Sequence, residues 1–155
     1  MAERFPTLTL PGAALQVRER HGRRDVLDPV RQRWVRLTPE EWVRQHLVGY
    51  LLGPLGYPRG LLAIEREVRY LEAAHRADVL AVGRDHQPLL LAECKAASVP
   101  IDQNAFDQAA RYNSVVRARY LVVTNGLVHY CCRVDAATNH YAFLDAMPTF
   151  EEATG

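Results

Sequence analysis

Pro88-Leu89-Leu90-Leu91-Ala92-Glu93-Cys94-Lys95 is an apolar run that ends in Glu-x-Lys. Only Arg84-Asp85-His86-Gln87 separates it from a second run, Arg76-Ala77-Asp78-Val79-Leu80-Ala81-Val82-Gly83. Read as strands, whose side chains alternate, the first run points Glu93 and Lys95 one way and Cys94 the other. If the two runs form an antiparallel hairpin with its turn centred between Asp85 and His86, Asp78 lies opposite Glu93. Opposed Cβ atoms sit about 4.5–5.5 Å apart, and like charges so placed destabilise a sheet. A divalent cation shared by the two carboxylates accounts for the arrangement, with Lys95 beside it. Taken singly, Asp78 reads as a turn-capping residue and Glu93 as a carboxylate on a wetted face.

Around this hairpin the chain alternates strands and helices. Thr38-Pro39-Glu40-Glu41 starts a helix, with Thr38 as N-cap, Pro39 at the first helical position and Glu41 as capping-box partner; Gly53-Pro54 stops it. At 100° per residue Glu40 falls on the face of Val43, Leu47 and Leu51, so geometry favours Glu40 over Glu41 as the glutamate facing the hairpin, with Arg44 on that face to neutralise it. A strand follows over 62–70, where Glu65 and Glu67 read as a solvent-facing pair, either of which could add a metal ligand. Asp102 caps a helix to about Arg117 that sets Gln108 and Tyr112 on one face. Tyr120 to Thr124 reads as a buried strand, Asn125-Gly126 as a tight turn into a strand over 127–134, and 141–145 as a last strand. Residues 1–28 read as an irregular arm with a short strand at 13–17, residues 29–147 as one domain, and 148–155 as a polar tail.

Asp78, Glu93-Cys94-Lys95 and the hairpin between them resemble the PD-(D/E)xK nuclease superfamily, and Gln108-Ala109-Ala110-Arg111-Tyr112 resembles the Gln-xxx-Tyr helix of its RecB-like branch. The wider order is Asp28-Pro29, Val35 to Glu41, Gly56-Tyr57-Pro58, Arg76-Ala77-Asp78, Glu93-Cys94-Lys95, Tyr112-Asn113 and Thr124-Asn125-Gly126. Over residues 28–130 it is similar to the N-terminal nuclease-like domain of type I restriction enzyme motor subunits, in stand-alone form. The resemblance implies an α/β, restriction-endonuclease-like single domain, a mixed central β-sheet flanked by helices. It also implies divalent-metal-dependent hydrolysis of DNA phosphodiester bonds. Asp78 and Glu93 would hold Mg2+ (or Mn2+), Lys95 would act on the attacking water, and Gln108, Tyr112 and Glu40 or Glu41 would support them.

Composition bounds this expectation. At 155 residues and 48% apolar, the chain supports one core. Nineteen basic against eighteen acidic side chains give a formal charge of +1, so contact with DNA needs a local patch. Arg18, Arg20, Arg23, Arg24, Arg31, Arg33 and Arg36 form the densest basic run, ordinarily a solvated face. The six histidines lack metal spacing, and only His75 lies near the hairpin in sequence. The longest charge-free stretch, His46 to Pro58, is too short for a membrane span, the N-terminus shows no basic region followed by an apolar block as a signal peptide would, and three cysteines without framework spacing fit a reducing cytoplasm. Without Gly-xxxx-Gly-Lys-Ser/Thr, these residues are not an ATP-driven motor. The expected partners are DNA, a separate ATP-driven translocase or specificity subunit, and a second copy of the chain for cutting both strands. The alternative is a nucleic-acid or protein interaction module with a silent or partner-dependent nuclease site.

Overall fold

The computed structural model describes residues 5–70 and 73–155. Met1 to Arg4, the start of the predicted arm, lie outside them. Two sheets form: a three-stranded antiparallel one, β1 (Val17–Arg20), β2 (Arg23–Asp28) and β3 (Arg33–Arg36), and a six-stranded one in sequential order. The larger comprises β4 (Leu62–Tyr70), β5 (Ala73–Val82), β6 (Pro88–Cys94), β7 (Tyr120–Thr124), β8 (His129–Asp135) and β9 (His140–Leu144). All its pairs are antiparallel except β6 with β7, which the helix α2 (Gln103–Val116) connects. A parallel pair needs such a crossover, and the sheet is therefore mixed.

α1 (Pro39–Leu52) covers one face of the large sheet, burying Val43, Leu47 and Leu51 against Val79, Ala81, Leu90, Ala92 and Val122. α2 covers the other, with Ala109 against Leu80, Leu91, Leu121 and Val123. β6 and β7 are thus buried on both faces, which explains their nearly unbroken apolar runs. The helix ends fall where the capping residues put them. Glu41 N donates to Thr38 Oγ1 at 3.0 Å and Ala105 N to Asp102 Oδ1 at 2.8 Å. Arg117 closes α2 in the left-handed region at φ 64°.

Three expectations are corrected. Residues 17–28 are not irregular: β1 and β2 form a hairpin whose two-residue loop, His21-Gly22, takes φ of 53° and 74°. Two positive φ values in a row match the twist of paired strands, and glycine tolerates its share without cost. The stretch before it packs as well, with Leu10 buried and Ala13 so close to Gly49 of α1 that a Cβ there would lie 2.7 Å from Ala13 Cβ. The polar end forms the short helix α3 (Phe150–Thr154), closed by a capping box between Thr149 and Glu152 and anchored by Phe150 in the core. Finally, the β7–β8 turn is longer than Asn125-Gly126. Asn125 Oδ1 accepts from the amides of Leu127 and Val128 at 3.0 and 2.8 Å, which draws both into the loop and starts β8 at His129.

Candidate active site

The β5–β6 register pairs Val79 with Ala92, Leu80 with Leu91 and Ala81 with Leu90, so Asp78 and Glu93 follow as the next opposed positions. Asp78 is pinned by its neighbour strand, for its Oδ2 accepts from Cys94 N at 2.7 Å. On its other side it meets Glu65. The β4–β5 pairing runs Ile64 with Val79 and Arg66 with Ala77 but skips Glu65 and Asp78, and Glu65 has φ 54°. Alternation breaks here too, because Ala77 and Leu80 pack on the α2 side while Val79 and Ala81 pack on the α1 side. A local distortion of this kind re-aims side chains beside a site.

Its result is a row of carboxylates from three strands and a helix, laced by two arginines. Arg44 of α1, 4% exposed, lies 3.2 Å from Glu40 Oε1, 3.7 Å from Glu41 Oε2, 3.1 Å from Glu65 Oε1 and 3.3 Å from Asp78 Oδ1. Arg31, in the β2–β3 loop, donates to Asp28 Oδ2 at 2.7 Å and to Glu41 Oε1 at 2.9 Å, and lies 3.4 Å from Glu65 Oε2. Gln45 Nε2 joins Asp28 and Glu41 at 3.0 and 3.1 Å. Glu65 is therefore not solvent-facing as expected, whereas Glu67 is exposed and meets only Arg69, at 3.4 Å. Nor does Glu41 complete a capping box: Thr38 accepts its amide, but its carboxylate accepts from Arg31 and Gln45, which outcompete a return bond to Thr38.

Glu93 has no such guanidinium. It is 9% exposed, and its Oε1 is buried without a hydrogen-bond partner. Burial, then the charge of Asp78 and a hydrogen bond shared with it, push its carboxyl up to about 9, against the opposing pull of Lys95. Burial and the Asp78 charge likewise raise Glu40, which Arg44 and Lys95 partly offset. Both helix glutamates meet Arg44, which also meets Asp78: Glu40 from a half-exposed position at 3.2 Å and Glu41 from a buried one at 3.7 Å. Lys95 follows directly on β6, its amide donating to Thr124 O at 2.8 Å, and the next loop is tied down where Asn125 Nδ2 donates to Val99 O at 2.9 Å.

The donors suit a hard divalent cation. Asp28, Glu40, Glu41, Glu65, Asp78 and Glu93 face Arg31 and Arg44 inside and Arg76 and Lys95 at the margin, two positive charges too few if every acid ionises. Among the described residues no three His, Cys, Asp or Glu side chains gather as a ligand cage. Mg2+ does not require one, since it takes one or two carboxylates and keeps several waters. Asp78 and the orphaned Glu93 are the pair that fits.

Gln108 and Tyr112 reach a different part of β5. Gln108 Nε2 donates to Tyr112 Oη at 3.0 Å, and Tyr112 Oη is 2.9 Å from His75 Nδ1, the two rings 4.4 Å apart. They thus brace α2 over β5 three residues before Asp78, without a recorded contact to Asp78, Glu93 or Lys95. The sequence missed Arg31 and Gln45 as members of the assembly, offered Glu65 only as an optional ligand on a solvent-facing strand, and marked His75 only by its nearness in sequence. Their only signal was a polar residue in or beside a strand or helix, which does not reveal a partner distant in sequence.

No helix among the described residues is long and apolar enough to cross a membrane. Known proteins bear on the assembly in two ways. No curated protein matches the chain. In overall form it is similar to a fragment described as an HsdR subunit of a type I restriction enzyme from Vibrio vulnificus YJ016, with TM-score 0.55 and 22% identity, over 76% of this chain and 25% of that one. The chain thus spans about a quarter of that fragment's length, and the likeness is one of fold. The family model described as type I restriction enzyme R protein N terminus matches residues 39–148, from the start of α1 to just past β9. That span holds Glu40, Asp78, Glu93 and Lys95 within one continuous match, and the chain belongs to this family of R-protein N-terminal regions.

Proposed function

We propose that the chain is a divalent-metal-dependent deoxyribonuclease domain that hydrolyses phosphodiester bonds. The observation that carries this reading is the buried, unpartnered Oε1 of Glu93 opposite Asp78, in an acidic assembly short of positive charge. Asp78 and Glu93 would hold Mg2+ (or Mn2+), with Glu40 supporting them. Bound there, the cation would neutralise phosphate charge and make a water more acidic.

The chain's own groups do the rest. The Cys94 amide and Arg44 fix the Asp78 carboxylate, so that little reorganisation is left for the moment of reaction. Glu93 would give up its proton to serve as a ligand. Lys95 holds the attacking water and meets the charge that develops as a phosphorus–oxygen bond breaks. Gln108, Tyr112 and His75 keep α2 seated over β5. Arg44 on Asp78 favours a second reading, a module whose site stays silent until a partner or DNA displaces the guanidinium. Within a type I restriction system, the partners would be DNA and subunits that move along it or choose its sequence; a second copy of the chain would cut the second strand.

Calorimetric titration with Mn2+, run beside a nuclease assay on circular and linear DNA, tests the reading. Mn2+ should bind, bind no longer in Asp78→Ala or Glu93→Ala, and support cleavage only in the wild-type protein. Unchanged Mn2+ binding in both variants would remove the metal site, and binding without cleavage of any DNA favours the silent module.

A further inference from the structure

β1, β2 and β3 carry a charge pattern that the site does not use. Their registers pair Arg18 with Asp25, Arg20 with Arg23, and Asp25 with Arg36, while Leu27 pairs with Trp34. Since opposed residues share a face and alternate ones along a strand do too, Arg18, Arg20, Arg23 and Arg36 all stand on one side, around Asp25 and Trp34. The opposite side is the one turned to the body. It holds the fully buried Val26 and Asp28, and Arg24, whose guanidinium lies 5.9 Å from the Phe5 ring that stacks on Trp42 of α1.

Four arginines against one aspartate make this small face strongly basic in a chain whose net charge is only +1. Asp25 engages Arg18 and Arg23 through their Nε atoms, at 3.4 and 3.1 Å, and Arg18 lies 4.3 Å above the Trp34 ring. Those contacts hold two guanidinia in place at the cost of one charge. Arg20 and Arg36 are exposed, with no ion pair among the described residues. Arg20 directly opposite Arg23 is an unfavourable cross-strand pair unless an anion lies over it. Alternate residues of a strand stand about 6.7 Å apart, close to the axial rise of two phosphates on one DNA strand, about 3.4 Å each.

The sheet is also coupled to the candidate active site. Asp28, the last residue of β2, binds Arg31; Arg31 binds Glu41 and Glu65; and Glu65 meets Arg44, which touches Asp78. A chain of hydrogen bonds and ion pairs therefore ties the basic face to the acidic centre. We infer that the outward face of the β1–β3 sheet is a DNA-backbone binding surface, set by Arg18, Arg20, Arg23 and Arg36, that positions duplex DNA for the Asp78–Glu93–Lys95 centre. The inference rests on the reading that the chain acts on DNA.

Fluorescence anisotropy of a labelled DNA duplex, in EDTA and over a range of salt, tests it without cleavage. Wild-type affinity should fall steeply with salt. An Arg20→Gln/Arg36→Gln double variant should bind several-fold more weakly, with the slope of log affinity against log salt smaller by about 1.8, two phosphate contacts at about 0.9 each. Arg33→Gln, in the same sheet on the opposite side, should leave the slope unchanged, and melting temperatures should stay together, since neither change removes a recorded bond. An unchanged slope in the double variant, an equal loss in Arg33→Gln, or no wild-type binding at any salt overturns the inference. Binding through this face without cleavage in Mg2+ or Mn2+ overturns the nuclease reading alone; cleavage with unaltered binding in the double variant overturns the face alone.

Discussion

Arg44 Nη2 lies 3.3 Å from Asp78 Oδ1, so a buried guanidinium bears on the very carboxylate that the proposed cation would use. Burial works against its charge, but Glu41, Asp78 and Glu65 outweigh burial and hold its pKa above the ordinary value. Arg44→Gln should therefore cost about 3–5 kcal/mol, because it strands buried carboxylates. Mn2+ should return part of that loss and raise the melting temperature of the variant more than that of the wild type. Equal Mn2+ shifts in the two proteins would mean that guanidinium and metal do not compete.

Glu93 makes the stability of the metal-free protein fall with rising pH. Its native pKa is raised to about 9, while an unfolded glutamate titrates near 4.3. Below the lower value both states carry the proton. Between the two values the unfolded chain has lost its proton and the native state still holds it, so the stabilisation present at low pH is lost as pH rises through about 9. Urea unfolding in EDTA between about pH 5 and about pH 9 should show this trend in the wild type and a flatter one in Glu93→Gln.

The two helix glutamates should separate cleanly. Glu40 is half exposed and faces the acidic centre, so Glu40→Gln should reduce cleavage with little loss of stability. Glu41 is buried between Arg31, Gln45 and Arg44, so Glu41→Ala should cost about 3–5 kcal/mol, well above the loss of a cap alone. Thermal melts beside a cleavage assay check both, and the reverse outcome would mean the faces are assigned wrongly.

Lys95 belongs to the chemical step. Lys95→Ala should keep the fold and the Mn2+ isotherm while cleavage falls by roughly 10²-fold or more, the scale of losing one transition-state donor. Undiminished cleavage in a preparation free of contaminating nuclease would place the chemistry elsewhere.

The short-range features were legible from the chain alone. Thr38 and Asp102 cap helices because a side-chain oxygen can satisfy an amide only three residues on. The expected register held at Val79 and Ala92, which leaves Asp78 opposite Glu93, but the turn did not set it alone: Val82 pairs with Pro88 about a turn centred on Asp85, and a bulge between Ala81 and Val82 shifts the pairing into that register. The helical period put Glu40 with Val43 and Leu47, yet it is Glu41 that is buried among the arginines, while Glu40 stays half exposed beside Arg44. What tertiary structure alone decided is the company these residues keep. β1 and β2 are short, polar and joined through His21-Gly22, so no apolar alternation announced them; their pairing appears only once Val26 is buried against the body. Glu65 turns inward because β4 is distorted where it passes Asp78, and Arg31 and Arg44 then compete for five carboxylates, Asp28, Glu40, Glu41, Glu65 and Asp78, drawn from distant parts of the chain. Coulomb attraction depends on distance in space, and periodicity along the chain carries no information about which charges will share a buried volume.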